Sequence, residues 1–276
     1  MVCFADEIWP EKSKFHDKNY VWVSCLLCRA EDAPQISRKL KNYRYDTCNY
    51  QLVGDSYPDL EKKDEKIKFR KADSNNKYEV ADRWIQMLRE DPDVSGKLKA
   101  KVVGIDMEKI NKENFGEEGD VESRVYAWAL KTALDGSSEY FFAGDKIEDC
   151  VLYQHQGNQC SEDNFEDIVK STKNLNVREI KYYDDDHRKH RKEDLDGYNA
   201  ANFLQLCDVL AGSVSKLYTK EYLGPRKKSL VLQLKELIRE GTEDPVFKYA
   251  DVSFFPKEEW GGIEKQYTFH GREMKR

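Results

Sequence analysis

The spacing of apolar and polar positions changes period several times along the chain, and the changes mark out its elements. Residues 2–6 are apolar up to the acids Asp6 and Glu7, and Pro10 stops what they begin, which predicts a short strand. Residues 20–28, YVWVSCLLC, hold β-branched and aromatic side chains and no charge, the strongest strand signal in the sequence. The two strands are placed to form a hairpin around the polar stretch 11–19. Across residues 30–65 the pattern is weak. Ile36, Leu40 and Tyr43 mark one short helix, while Gly54, Pro58 and many charges read as loop. KIKFR, residues 66–70, alternates polar and apolar side chains as a half-exposed strand does.

From residue 78 the helical period takes over. Tyr78, Ala81, Trp84, Ile85 and Leu88 predict a helix that Asp91-Pro92 closes. KAKVVGI, residues 99–105, is a strand with Asp106 at its carboxyl end. Val121, Val125, Ala129, Leu130 and Ala133 predict a second helix, ended by Gly136. Residues 139–143 and 150–153 are short strand candidates. Ser161 is placed to cap a helix reaching to about Thr172, and residues 177–183 form a further strand. The run 184–192 is highly charged and must be loop or solvated surface. Residues 199–218 form a helix with an unusually wide apolar girdle, from Ala200 and Phe203 through Leu210 to Val214. Gly224-Pro225 breaks the chain, residues 230–238 give an ordinary amphipathic helix, and the aromatic stretches VSFFP and YTFHG predict a terminal hairpin or packing on the body. Strands come first and then alternate with helices. This predicts an α/β fold, a mixed sheet with helices on both faces, and the helix around Leu204 packed on the sheet.

Length and composition narrow the class. At 276 residues the chain suits one domain with long insertions. Aromatics at 12% argue against disorder, and a net charge of -6 argues against binding nucleic acid with the whole surface. An odd number of cysteines, several of them among apolar residues, and no apolar leader predict a reducing, cytoplasmic setting. No run approaches a membrane span.

Several chemistries are disfavoured by motif. There is no glycine-rich phosphate loop and no G-x-S-x-G elbow. Cys25 and Cys28 lie three apart on a predicted strand and so point to opposite faces, a poor arrangement for a dithiol or a shared metal. His155, Cys160, His187 and His190 match no common zinc spacing.

The carboxylates carry more. Asp6 and Glu7 end one apolar strand, Asp106 ends another, and Asp208 interrupts the most apolar helix. A buried carboxylate is costly unless a cation or a basic partner compensates it. Acids converging from separate elements are what Mg²⁺ or Mn²⁺ requires, and a pair of such ions activates water and stabilises the leaving oxygen of a phosphodiester. Glu79 or Asp82 would be a further ligand, with Glu79 preferred. The competing reading pairs Asp208 with a Lys or Arg and has Asp6 cap a turn.

Phe4-Ala5-Asp6-Glu7-Ile8-Trp9 resembles the Y-I-D-E-S-G opening of an uncharacterised bacterial and phage family of unknown function within the ribonuclease H-like superfamily. Leu204-Gln205-Leu206-Cys207-Asp208-Val209-Leu210-Ala211-Gly212 resembles its L-Q-L-A-D-L-I-A-G helix. The resemblance implies a ribonuclease H-like mixed sheet over residues 1–223, with residues 224–276 as a helical and aromatic extension packed on the same body. It implies Asp6 and Asp208 as acidic site residues with Glu7 beside the first. Asp106 takes the place of an acid ending a central strand, and the strand before His155 is the competing location. The implied activity is metal-dependent hydrolysis of nucleic acid, leaving a 3′-hydroxyl and a 5′-phosphate. Ile8-Trp9 in place of Ser-Gly, and His155 in place of an acid, depart from the pattern. They favour a rival reading, an inactive scaffold acting through protein contacts in phage defence, toxin–antitoxin or phage accessory function. A nucleic-acid partner would use two basic strips, Lys62, Lys63, Lys66, Lys68, Arg70 and Lys71, and Arg188, Lys189, Arg191 and Lys192 with His187 and His190.

Overall fold

The computed structural model describes residues 1–9, 20–47, 66–115, 121–142, 148–156, 164–185, 200–219, 223–239 and 250–255. In chain order the elements are β1 (Val2–Ile8), β2 (Tyr20–Cys28), α1 (Ala33–Thr47), α2 (Asn75–Glu90), β3 (Lys99–Asp106), α3 (Val121–Phe141), β4 (Glu148–His155), α4 (Phe165–Lys170), β5 (Leu175–Tyr183), α5 (Ala200–Thr219), α6 (Pro225–Arg239) and β6 (Ala250–Phe255). Six strands form one sheet in the order β5-β4-β1-β2-β3-β6. β2 runs antiparallel to both neighbours, while the β1–β4, β4–β5 and β3–β6 pairs are parallel. The sheet is therefore mixed, and the carboxyl ends of β1, β4 and β5 lie along one edge.

Period-two alternation along β1 divides the core into two layers. Val2 and Phe4 belong to the layer under α1, α2, α5 and α6, while Cys3 and Ala5 belong to the layer under α3 and α4. Helix α5 lies across β1 and β2, with Phe203 stacked on Phe4 at 4.0 Å between ring centroids. Burying a ring of this size contributes about 1.5–3 kcal/mol, so the wide apolar girdle of α5 is accounted for by contact on several sides. On the other face α3 lies across β2 and β3. Cys25 and Cys28 fall in opposite layers, as their spacing predicts.

Local readings fail where tertiary contacts supply partners that a local pattern cannot show. Gly136 does not end α3, which runs on to Phe141 through the stretch expected to begin a strand at residue 139. Just after Gly136, Ser137 returns its hydroxyl to the Ala133 carbonyl at 2.6 Å, and Ser138 donates to the Asn174 carbonyl at 3.0 Å. Helix α1 has 15 residues, longer than Ile36, Leu40 and Tyr43 indicated. Pro225 starts α6 rather than breaking the chain, its fixed φ and missing N–H suiting the first helical position. KIKFR is not a strand: residues 66–68 have no regular structure, Lys68 is extended, and a 3-10 turn, Phe69–Lys71, follows. VSFF joins the sheet as β6, parallel to β3, in place of a terminal hairpin. A buried ion pair between Lys101 and Asp251 fastens β6, and Lys101 also donates to the Ser253 hydroxyl at 2.7 Å. Ser161 and the YTFHG stretch lie outside the described residues.

Candidate metal centre

The site forms where β1 and β4 end side by side. Chain connections leave these two strands in opposite directions across the sheet, and such a switch point opens a crevice beyond the carboxyl ends. The parallel register pairs Phe4 with Tyr153 and Ala5 with Gln154, so one further step sets Asp6 beside His155. Asp6 and Glu7 leave β1 toward opposite faces, yet at the strand end both carboxylates reach the rim. Ligand atoms of Asp6, Glu7 and His155 lie within 4.8 Å of one another.

Asp6 is buried. Its Oδ1 accepts the Glu7 N–H at 2.9 Å and faces His155 Nδ1 at 3.3 Å. Asp6 Oδ2 and Glu7 Oε2 are buried without a hydrogen-bond partner among the described residues. Burial holds the pKa of Asp6 well above the ordinary carboxylate range, and that of Glu7 above it, the latter despite a hydrogen bond from Tyr126 on α3. Two neighbouring carboxyls and an imidazole so close together could hold a metal ion.

A second group of charges closes over the first. Asp185, just past β5, is buried and faces His155 Nε2 at 3.6 Å. Lys68 Nζ stands 2.8 Å from Asp185 Oδ2 and 3.7 Å from Asp208 Oδ2, and Lys66 pairs with Asp184 and Asp185. The other oxygen of Asp208 accepts the Phe69 N–H at 2.8 Å. These contacts hold Asp185 well below the ordinary carboxylate range, while burial raises Asp208. Gln205 braces the assembly. Its Oε1 accepts the Ile67 N–H at 2.8 Å and Arg44 Nη1 at 3.0 Å, and its Nε2 donates to the Asp185 carbonyl at 2.6 Å. Arg44 is itself fully buried and also donates to Asn202 at 2.9 Å.

The sequence-derived candidates divide accordingly. Asp6 and Glu7 converge with His155, the residue read there as a departure from the family pattern. Asp208 lies across the crevice, engaged by Lys68 and by the Phe69 N–H, as the competing reading of that residue anticipated. Asp106 sits two strands from β1 and four residues beyond the position level with Asp6. With strands ~4.8 Å apart and ~3.3 Å per residue, that is roughly 16 Å away. Its Oδ1 accepts the Glu108 N–H at 3.1 Å and its Oδ2 pairs with Lys109 at 3.5 Å, so it caps its own turn. Glu79 is exposed on α2, and Asp82 accepts from Gln86 and Gln233. Lys66 and Lys68 turn inward, whereas Arg70 and Lys71 are exposed. Lys62, Lys63, Cys160 and residues 187–192 lie outside the described residues.

Gln205 was missed as a site residue, Asp185 is buried where loop or solvated surface was expected, and Lys66 and Lys68, read as part of a basic strip for nucleic acid, pair with it instead. Only Gln205 had a local signal, a polar amide between Leu204 and Leu206 in an apolar helix.

His155 makes the site pH-sensitive. Burial opposes its charge, but Asp185, Asp6 and Glu7 more than offset this and raise its pKa to about 9. A histidine raised above its unfolded value of ~6.5 contributes stability that is complete below that pH. The contribution is lost as pH rises through about 9. Denaturant unfolding of the metal-free protein between these limits should therefore show a loss of stability that is absent in His155→Gln. Parallel pH profiles of the two proteins would contradict the assignment.

No known family model matches this chain, and no curated protein matches it in sequence. Fold and site together define an α/β protein with a buried Asp/Glu/His cluster at the carboxyl end of its parallel strands. Among the described residues, no helix is long and apolar enough to cross a membrane.

Proposed function

We propose that this chain is a ribonuclease H-like, metal-dependent nuclease, hydrolysing phosphodiester bonds from the cluster of Asp6, Glu7 and His155. The convergence of those three side chains, with two buried carboxylate oxygens left unpartnered, carries the reading. The element order supports it as well. If α1 and α2 are taken as an insertion, three strands are followed by helix, strand, helix and strand, which fits the ribonuclease H-like mixed sheet that the resemblance implies. On this reading residues 1–223 are the body, and the extension 224–276 lends β6 to its sheet.

Carboxylates with one imidazole suit Mn²⁺ better than Mg²⁺, because Mg²⁺ favours all-oxygen surroundings. Bound there, such an ion would activate water and offset charge on the phosphodiester. The chain's own residues prepare that chemistry. Tyr126 holds Glu7, and Asp185 faces the second ring nitrogen of His155, which orients the ring and selects its tautomer. The proton held by His155 must leave before the ring can act as a ligand, so ion uptake releases protons below pH about 9. Calorimetry with Mn²⁺ and Mg²⁺, paired with cleavage of single- and double-stranded DNA and RNA, tests the reading. Mn²⁺ should bind more tightly than Mg²⁺ and support cleavage. No ion binding by a folded protein would overturn it.

One observation favours the rival reading. Lys66, Lys68 and His155 already offset much of the acidic charge without an external cation. Under that reading the scaffold serves protein contacts in phage defence, toxin–antitoxin or phage accessory function, and the folded protein binds neither ion.

A further inference from the structure

Two-ion phosphodiesterases place their ions about 3.5–4 Å apart, each held by carboxylates. Here the acids fall into two sets. Asp6 and Glu7 converge with His155, whereas Asp185 and Asp208 converge on an ammonium group. We propose that Lys68 Nζ takes the place of a second metal ion, so that the site works with one divalent ion and one lysine, the lysine contacting the anionic phosphodiester. This rests on the proposed function above.

The placement of Lys68 is built rather than incidental. The backbone on both sides of it is pinned, the Ile67 N–H by Gln205 and the Phe69 N–H by Asp208 itself. The Phe69 ring packs directly on α5 at Gly212, where a Cβ would lie 2.5 Å from Phe69 Cγ. A side chain at position 212 would push out the whole segment, so the glycine is what lets the lysine reach the acids. A divalent ion between Asp185 and Asp208 would have to expel an amine held in this way. With Lys66 and His155 on Oδ1, only Oδ2 of Asp185 could turn to a second ion, and Lys68 occupies it.

An ammonium beside the ion can still do what a second ion would do for a phosphate, since it presents a fixed positive charge to developing negative charge.

The experiment counts Mn²⁺ ions on the full chain, by calorimetry with Mn²⁺ alone and by electron paramagnetic resonance of free Mn²⁺. Wild type should bind one ion. Lys68→Met, which frees Asp185 and Asp208, should bind two, and Lys68→Arg should bind one. On a phosphodiester oligonucleotide at a single-ion concentration of Mn²⁺, Lys68→Met should lower kcat by about 100-fold or more, with part of the loss recovered in Lys68→Arg. Two ions on wild type, or one ion on a folded Lys68→Met, would overturn the role of Lys68 and leave the metal centre standing. No ion on wild type would instead overturn the metal reading. The wild-type count decides the question even if the Met variant does not fold.

Discussion

A Gln205→Leu variant is expected to lose about 3–5 kcal/mol of stability, although leucine is close to glutamine in volume and sits naturally in an apolar helix. The cost arises because the amide is the shared partner of three groups that otherwise have little recourse. The Ile67 N–H, the Arg44 guanidinium and the Asp185 carbonyl all meet it, and Gln205 and Arg44 are both fully buried. Each buried donor or acceptor left without a partner costs about 1–3 kcal/mol. These bonds tie α1, the Lys66–Phe69 segment and the end of β5 to α5. Loss of the amide should therefore also loosen Lys68 and Asp185, weakening the metal site without touching its ligands. Urea unfolding gives the stability, and Mn²⁺ calorimetry of the variant gives the second effect. A midpoint within error of wild type would show that the three groups find other partners.

Asp6→Asn should move stability and function in opposite directions. Burial is the main reason the Asp6 carboxyl resists ionisation. Glu7 and Asp208 add to the effect, while His155 and Lys68 oppose it. With its folded pKa raised, Asp6 costs stability once the pH exceeds the ordinary Asp value, because the unfolded chain ionises it freely. The amide keeps the shape and removes the charge, so the variant should melt higher at neutral pH, by about 1–2 kcal/mol, as is common when a destabilised functional group is replaced. Mn²⁺ binding should be lost, and phosphodiester cleavage should fall by at least about 100-fold. A variant that is less stable than wild type, or that still binds Mn²⁺ normally, would contradict the assignment of Asp6 as a ligand.

What the sequence could determine is what local pattern controls. Alternating and uncharged runs fixed β1 and β2 closely, and the helical period found α2, α5 and much of α3 and α6, since these signals depend only on which side chains must be buried. The same reasoning put Cys25 and Cys28 on opposite faces and singled out Asp6 and Asp208 as acids in costly places. Tertiary structure alone decided the rest, because the deciding partners are far apart in sequence. The backbone donors of Ile67 and Phe69 go to side chains 138 and 139 residues away, which turns an apparent strand into an arm that carries Lys68 into the crevice. Gly136 remains helical and Lys101 is buried because α3 and Asp251 receive them. Likewise, whether an acid at a strand end faces a metal centre or caps a turn depends on which strands adjoin it. β4 lies beside β1 and gives Asp6 a histidine, while β3 lies two strands away and leaves Asp106 to its own turn.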